Sequence, residues 1–170
     1  MPRDLRGDVS TKQIILTQES PDPIMPKWTV QPADVLWKYR VIAVVGASKN
    51  AEKEAFTVPA YLRRHGYTVI PVNPTTDVID GAKSYSSLGV IPKELAGTVD
   101  VVEVFRPSEE LPGVATQAVE MKKRTGRPFV LWAQLGLENE DAKRILRAGG
   151  IDFVMNVCMR TQHQMTGGPR

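Results

Sequence analysis

The chain has 170 residues, of which 42% are hydrophobic and 24% are charged, and its formal net charge is +3. This length and composition predict one soluble globular domain, and the lack of an apolar run approaching about 18 residues excludes a membrane-spanning helix. A single cysteine, Cys158, excludes an internal disulfide and a cysteine-based zinc site, and it is typical of a reducing compartment.

The charges also narrow the choice of partners. The mild positive charge suits an anionic small ligand as well as nucleic acid, but the lysines and arginines are scattered rather than clustered. We therefore predict no nucleic-acid partner and no membrane partner. The charged start, residues 1–6, has no apolar segment behind it, which predicts a cytoplasmic protein rather than a secreted one.

The first 28 residues differ from the rest of the chain. Five of the 13 prolines fall within the first 32 residues, and prolines interrupt regular elements. We predict an N-terminal extension at 1–28, extended or disordered except for a short edge strand at 13–17, and one folded domain at 29–170. Pro32 suits a first helical position, so a helix near 32–39 is expected to lead into the core.

The element that organises the chain is the apolar run 41–45, which is rich in β-branched residues and typical of a buried parallel strand. It stops in the small residues Gly46, Ala47 and Ser48. Such residues let backbone N–H groups approach a phosphate, and the Ser48 hydroxyl can donate a hydrogen bond to it. An ordinary tight turn is the alternative, because the G-x-G-x-x-G fingerprint is absent. Gly46→Val is expected to abolish binding in a protein that still folds.

Four further apolar runs alternate with helical patterns. In chain order we predict a helix at 58–65 with Pro59 in its first turn, a strand at 67–72, a strand at 99–105, a helix at 108–125 capped by Ser108, a strand at 128–132, a helix capped by Asn139 and ending at 148, and a strand at 152–155 followed by a polar tail. The alternation predicts the α/β class: a Rossmann-like, doubly wound, parallel five-stranded sheet with helices on both faces, in the strand order 3-2-1-4-5.

In such a sheet, ligands bind beyond the carboxyl ends of the strands, where the strand order reverses. Each of the five strands is followed by a segment of small or polar residues with a sharp turn. These segments are Gly46, Ala47 and Ser48; Val72, Asn73 and Pro74; Phe105, Arg106 and Pro107; Gln134, Leu135 and Gly136; and Asn156, Val157 and Cys158. Their common position predicts one binding crevice.

A nicotinamide dinucleotide is the usual ligand of this fold, but two features oppose it. The three-glycine fingerprint is missing, and the second strand ends in Asn73, where an acidic residue would bind the ribose hydroxyls. Pro71 and Pro74 would also shape that rim differently.

Several motifs, taken in order, resemble a known family. They are Val-Val-Gly-Ala-Ser at 44–48, His-Gly-Tyr-Thr-Val-Ile-Pro-Val-Asn-Pro at 65–74, Val-Asp-Val-Val-Glu-Val-Phe-Arg-Pro at 99–107, Leu-Trp-Ala-Gln-Leu-Gly at 131–136, and Cys158. In this order they resemble the stand-alone CoA-binding proteins, which are similar to the CoA-binding Rossmann-like domain of the succinyl-CoA synthetase α subunit. The resemblance covers residues 38–165 and implies that the ligand is coenzyme A and that 29–170 is a CoA-binding domain.

The resemblance also implies roles for particular residues. It implies that Gly46, Ala47 and Ser48 bind the pyrophosphate and that Lys53 supplies a nearby positive charge. It implies that Asn73 and Pro74 line the nucleotide side and that Phe105, Arg106 and Pro107 contact the ribose, the adenine or a phosphate. The residues that would lie along the pantetheine are Gln134, Leu135 and Gly136. The family often has an arginine near Lys53 and a more basic motif before the last cysteine, and this sequence departs from it at both places.

Cys158 has two interpretations. It follows the fifth strand, so it is expected at the carboxyl edge of the sheet, within reach of the thiol end of a bound CoA. The alternative is a small buried core residue, which is the commonest state of a free cysteine.

The other titratable residues offer no catalytic set and no metal-ligand constellation. His65 is expected to cap a helix end, and His163 to lie solvated in the polar tail. Glu103 interrupts an apolar strand, so it should lie on a less covered part of the sheet or pair with a basic residue. For Arg106, ligand binding and a structural salt bridge are both open from its position alone.

The function predicted from these observations is the binding of CoA or an acyl-CoA by a module without chemistry of its own. The synthetases that share this domain need a second domain with a phosphorylated histidine, and this chain has no room for it. Two alternatives stay open: an NAD(P)-dependent oxidoreductase, and the CoA-binding subunit of a multi-chain acyl-CoA synthetase. A homo-oligomer is compatible with each.

Overall fold

The computed structural model describes residues 25–169. Its main sheet has five parallel strands, β1 (Val41–Val45), β2 (Thr68–Val72), β5 (Val101–Val104), β6 (Val130–Ala133) and β7 (Asp152–Val154). A separate antiparallel pair, β3 (Val78–Ile79) and β4 (Ala82–Lys83), lies in the connection after β2. The predicted α/β class and the five-stranded parallel sheet are confirmed.

The predicted strand order is wrong. The strands lie in the order β2-β1-β5-β6-β7, so β5 pairs with β1 instead of lying beyond β2. β5 is buried along its whole length, as a strand between two neighbours should be, whereas β2 and β7 each begin with an exposed residue. The order still reverses beside β1. The segment after β5 therefore lies next to Gly46.

The helices cover both faces of the sheet, as predicted. They are α1 (Pro32–Lys38), α2 (Glu54–Arg64), α3 (Lys93–Ala96), α4 (Leu111–Thr125), α5 (Glu140–Ala148) and α6 (Met159–Thr166), with short 3-10 turns at Leu88–Val90 and Ser108–Glu110. One core forms where α1, α2 and α6 bury Leu36, Leu62 and Met159 against β1 and β6. On the opposite face, α4 and α5 bury Leu111 and Leu146.

Helix boundaries agree with the sequence patterns where a side chain provides the cap. The Asn139 side chain accepts a hydrogen bond from the Ala142 N–H at 3.0 Å, as predicted for the start of α5. Ser108 does not cap its own helix, because its hydroxyl accepts from the Glu138 N–H instead.

The helix before β2 starts earlier than predicted. α2 begins at Glu54 rather than near residue 58, so Pro59 lies inside the helix and not in its first turn. Pro59 has no N–H, so the carbonyl of Ala55 loses its helical donor. That carbonyl accepts the backbone N–H of Ser48 at 3.2 Å, which ties the helix to the turn after β1.

The predicted polar tail is also wrong, because α6 occupies it. His163 is buried, and its Nδ1 lies 2.8 Å from the Tyr61 hydroxyl on α2. Most residues of α6 are polar and lie on its outer side, so the few that face the core do not produce a clear helical pattern in the sequence. His65, in contrast, ends α2 as predicted, with its Nδ1 2.7 Å from the carbonyl of Tyr61.

Residues 25–29 lie along the exposed edge of β7. The Met155 N–H donates to the carbonyl of Lys27 and the Thr29 N–H to the carbonyl of Phe153. The rest of the predicted extension, including the strand at 13–17, lies outside the described residues. Within residues 25–169, no helix is long and apolar enough to cross a bilayer.

Candidate functional site

A groove of about 250 Å³ lies at the carboxyl edge of the sheet, between the ends of β1 and β2 and the start of α4. It contains four of the residues that the sequence singled out, from three of the five segments. Its lining consists of Val45, Gly46, Val72, Pro74, Ser86, Ser87, Arg106, Glu110, Gly113, Val114 and Gln117. The volume suits a part of a nucleotide rather than a whole cofactor, since complete ligand pockets measure about 300–1,000 Å³.

Gly46 is the position where the groove tolerates no side chain. Its φ is +85°, and a Cβ there would lie 2.9 Å from the carbonyl oxygen of Phe105 and 2.9 Å from Cδ of Arg106. The strained φ and the backbone contact mean that Gly46→Val damages the fold as well as the groove. The expectation that this variant leaves the fold intact is therefore corrected.

The turn after Gly46 is held by hydrogen bonds that leave some donors free. The Ser48 N–H is used by Ala55, whereas the N–H groups of Ala47 and Lys49 have no acceptor within residues 25–169. The Ser48 hydroxyl accepts from the Asn50 N–H at 3.0 Å, so its own proton is available to a ligand. Two backbone donors and one hydroxyl donor are thus available for an anion at this turn.

Asn73 supports this turn from β2. Its amide nitrogen donates to the carbonyl of Ala47 at 2.8 Å, and its Oδ1 accepts from the N–H and the hydroxyl of Thr75. These bonds occupy the side chain, so Asn73 fixes the shape of the rim on the Val72 and Pro74 side.

Arg106 is the cation inside the groove, and it is already paired. Its Nε and Nη2 donate to the two carboxylate oxygens of Glu110 at 2.7 and 3.0 Å. Both side chains are more than two-fifths exposed, so the pair sits in solvent-screened surroundings. An anion in the groove would compete with Glu110 for this guanidinium.

The remaining predicted residues lie elsewhere along the same edge. Lys53 is exposed at the N-cap of α2, Phe105 is half-buried, and Pro107 is exposed. None of these three lines the groove. The same is true of the segments after β6 and β7, which lie two and three strands away from β1, or about 10–14 Å at usual strand spacing.

The segments after β6 and β7 are joined to each other. The Gly136 N–H donates to Oδ1 of Asn156 at 2.6 Å, and the Met159 N–H donates to Oε1 of Gln134 at 3.3 Å. Gln134 is 2% exposed while Leu135 is 64% exposed, so the Leu135 side chain projects from this end of the edge. Cys158 is buried at 8% exposure in the core between the sheet and α2.

Glu103 contradicts both expectations that its position in the sequence raised. It is fully buried on β5, and neither carboxyl oxygen has a partner among the described residues. Burial raises the pKa of Glu103 to about 8, and the nearby Cys158 adds to the rise. A carboxyl group that stays protonated at neutral pH needs no counter-ion, which agrees with the absence of an ion pair to Glu103 among the described residues.

Sequence reasoning missed a group of lining residues that arrive from outside the strand ends. Ser86 and Ser87 reach the groove because Tyr85 pairs with Val72 in a short parallel bridge. Gly113 and Gln117 are four residues apart on α4 and share a face. The spacing of Arg106 and Glu110 was the available signal for their ion pair, since side chains four residues apart meet on helical turns.

Arg160 was also missed. It lies in the first turn of α6, and its Nη1 donates to the Thr57 hydroxyl on α2 at 3.3 Å. Within residues 25–169 it has no carboxylate partner.

Comparison with known proteins identifies the family of the chain and several relatives. The family model described as "CoA binding domain" matches residues 40–164. The protein YneT of Bacillus subtilis, itself described as uncharacterized, is 41% identical over 133 residues, covering 78% of this chain and 92% of YneT. A hypothetical protein of Pyrococcus horikoshii superposes with a TM-score of 0.71 at 32% identity, covering 88% of this chain and 99% of that one.

The alpha subunit of the ADP-forming acetate–CoA ligase II of Pyrococcus furiosus is 30% identical over 112 residues. The match covers 65% of this chain but only 23% of that subunit. This chain therefore corresponds to a minor part of the ligase subunit.

Proposed function

The chain belongs to the CoA binding domain family, and on that premise we propose that it binds coenzyme A or an acyl-CoA at the carboxyl edge of its sheet. The observation that carries the proposal is the groove beside Gly46, within the matched residues 40–164, where a side chain would strike Phe105 and Arg106. The atoms that such a side chain would strike belong to the segment after β5, so the glycine lets this segment pack against the turn and brings the Arg106 side chain to the groove.

The groups around the groove suit the phosphates of CoA. The free N–H groups of Ala47 and Lys49 and the Ser48 hydroxyl supply donors, and Arg106 supplies a charge that can bind a phosphate in two-pronged fashion. Pro74 and the Ser86–Ser87 pair offer an apolar surface and hydroxyl groups to the nucleoside. In this arrangement Phe105 and Pro107 lie along the rim, and Lys53 acts from a distance as an exposed surface charge.

The pantetheine arm would run along the edge from β1 toward β7. That path crosses the end of β5 and reaches Gln134, Leu135 and Gly136, with Cys158 beyond them. The exposed Leu135 offers an apolar contact to the arm. The thiol or acyl end would then lie near the start of α6.

The direct test compares ligands by thermal shift and calorimetry. CoA and acetyl-CoA should raise the unfolding temperature in a concentration-dependent manner, while NAD, NADP and ATP should not, because binding to the folded state alone stabilises it by mass action. A preference for NAD or NADP would replace the proposal with the oxidoreductase alternative.

We further infer that this chain acts without chemistry of its own. The alpha subunit from Pyrococcus furiosus is more than four times the length that this chain matches, which favours a ligand-binding module or one part of a larger assembly. The chain alone, given acetyl-CoA, ADP and phosphate, should therefore show no turnover. Turnover that is lost with Ser48→Ala and Arg106→Ala would contradict this inference.

A further inference from the structure

The Arg160 side chain is a partly buried cation at the carboxyl edge of the sheet. It starts in the first turn of α6, and its Nη1 donates to the Thr57 hydroxyl in the first turn of α2 at 3.3 Å. Within residues 25–169 the guanidinium forms no ion pair, although Glu54, one turn before Thr57, is an exposed carboxylate that is also unpaired there. The other N–H donors of Arg160 are thus available to the oxygens of an anionic ligand.

The two helix starts that meet at this hydrogen bond also present backbone donors. In α2, the N–H groups of Glu54 and Ala55 have no acceptor within the described part of the chain. In α6, the N–H groups of Arg160 and Thr161 likewise have none there. The first turn of a helix carries a positive partial charge, so two such turns beside a guanidinium suit an anion.

A buried side chain directs a further donor at the start of α6. Gln134 is 2% exposed, and its Oε1 accepts from the N–H of Met159, the first residue of α6, at 3.3 Å. The Nε2 of the same amide group has no hydrogen-bond partner among the described residues. A buried donor without an acceptor destabilises the folded protein. An acceptor bound at this turn is therefore favoured by the side chain as well as by the backbone.

This place lies beside the turn after β1, on the face of the sheet opposite to Arg106. The Ser48 N–H donates to the carbonyl of Ala55 at 3.2 Å, which ties the turn to the first turn of α2. Arg106 lines the groove on the α4 face, whose core contains Val45 and Val114. Both α2 and α6 pack into the core of the other face. A ligand at the edge thus meets one arginine from each face.

We propose that Arg160 and the first turns of α2 and α6 form a second anion site, which holds the pyrophosphate of CoA and leaves Arg106 to the 3′-phosphate. This assignment rests on the proposed function, because CoA carries phosphate groups at two separate positions of its ribose. The planar guanidinium of Arg160 donates to two phosphate oxygens at once, while the Ser48 hydroxyl donates from the turn. Two anionic groups on one ligand thus meet two cations on opposite faces.

Calorimetry with CoA, dephospho-CoA and pantetheine compares the full chain with Arg160→Ala. The variant should weaken the binding of CoA and of dephospho-CoA by the same factor, about tenfold, and should leave the binding of pantetheine, which has no phosphate, unchanged. A larger loss with CoA than with dephospho-CoA assigns Arg160 to the 3′-phosphate, and an equal loss with pantetheine assigns it to no phosphate. Either result overturns the proposal, and so does unchanged binding of CoA.

Further variants separate a phosphate contact from general charge. Arg160→Lys keeps the charge without the planar pair of donors, so it should regain part of the lost affinity. Thr57→Val keeps the guanidinium and removes its anchor, so its loss should be smaller than that of Arg160→Ala. The matched control is Arg64→Ala, which removes an exposed arginine at the other end of α2, and it should bind like the unchanged protein. An equal loss with Arg64→Ala overturns the proposal.

Inorganic pyrophosphate separates this inference from the proposed function and requires only the unchanged protein. In backbone amide NMR of the full chain, millimolar pyrophosphate should shift the N–H signals of Ala55 and Thr161 in a saturable manner. Without these shifts the anion site is overturned, whether or not CoA binds elsewhere. If pyrophosphate produces them and neither CoA nor dephospho-CoA binds, the anion site stands and the proposed function fails.

Discussion

The two ends of the carboxyl edge differ in how their polar groups are satisfied. Beside β1, Arg106 and Glu110 are exposed and paired with each other, and the turn after Gly46 keeps N–H groups that have no acceptor among the described residues. Beside β6 and β7, Glu103 and Gln134 are buried without partners. Rearranging an exposed ion pair costs little free energy, whereas a buried polar group without a hydrogen-bond partner destabilises the folded protein. The first end is thus suited to reversible binding of an anion, whereas the second keeps a protonated carboxyl group away from water.

The largest expected effect concerns the buried end and its dependence on pH. An acid whose pKa is raised by folding holds its proton more tightly in the folded state, so its stabilising contribution is full below about pH 4.5 and is lost as the pH rises to about 8. Glu103→Gln removes this loss. Between pH 5 and pH 8, its free energy of unfolding should gain a few kcal/mol relative to the unchanged protein, at about 1.4 kcal/mol per pKa unit.

Urea unfolding of both proteins at several pH values measures this difference. Glu120→Gln, which changes an exposed carboxylate paired with Lys123, is the control, and its curve should run parallel to that of the unchanged protein. Parallel curves for Glu103→Gln would mean that Glu103 is ionised in the folded protein, and the contrast between the two ends would disappear.

The next largest effect is expected at the turn beside β1. Gly46→Ala places a methyl group against Phe105 at a φ of +85°, so it should lose CoA binding and destabilise the fold by about 1–3 kcal/mol. Gly81→Ala has a similar φ of +76° with nothing within 4 Å, so it carries the backbone strain alone. Calorimetry and urea unfolding should show a larger loss of stability at Gly46 and lost binding only there. If the two variants lose the same stability and Gly46→Ala still binds CoA, the close contact between Gly46 and Phe105 is not required.

A smaller effect on CoA affinity is expected from changes to the Arg106–Glu110 ion pair. Arg106→Ala should weaken CoA binding, and more strongly than it weakens dephospho-CoA binding if its partner is the 3′-phosphate. Glu110→Gln frees the guanidinium and removes a repelling charge, so it should tighten binding several-fold. Both variants should keep the stability of the fold within about 1 kcal/mol, because the pair is exposed. If Glu110→Gln weakens binding by calorimetry, Glu110 positions Arg106 rather than competing for it.

The smallest effects are expected from Ser48 and Lys53, which lie outside the lining of the groove. Ser48→Ala removes one neutral hydrogen bond and should cost about 0.5–1.5 kcal/mol of CoA affinity. Lys53→Ala should cost less than Arg106→Ala, since Lys53 is exposed outside the groove. Calorimetry in which Lys53→Ala has the larger loss would move the phosphate contact from the groove to the start of α2.

Local patterns gave correct predictions where the physical cause is local. Apolar runs identified all five strands, Asn139 identified the start of α5, and the lack of a side chain at Gly46 identified the turn. The start of α2 was misplaced because Lys53 caps it without a side-chain bond and because Pro59 is tolerated inside the helix by the Ser48 contact.

Long-range partners explain the remaining errors. The pairing of β5 with β1 depends on how the connections cross the sheet, which an apolar run alone does not specify. The environments of Glu103 and His163 likewise depend on α6, whose outer polar residues resemble those of a solvated tail. The groove-lining residues Ser86 and Gln117 come from a loop and a helix that no strand-end rule includes.

The position at which CoA binds tests the proposed site most directly. Backbone amide NMR of the full chain during titration with CoA measures this position for each residue. Saturable shifts should concentrate at Gly46, Ala47 and Ser48 and at Phe105 and Arg106, and should extend toward Gln134 and Gly136. Shifts confined to the opposite, amino-end groove beside Trp37 and His65, or no saturable shifts at millimolar CoA, would contradict the account.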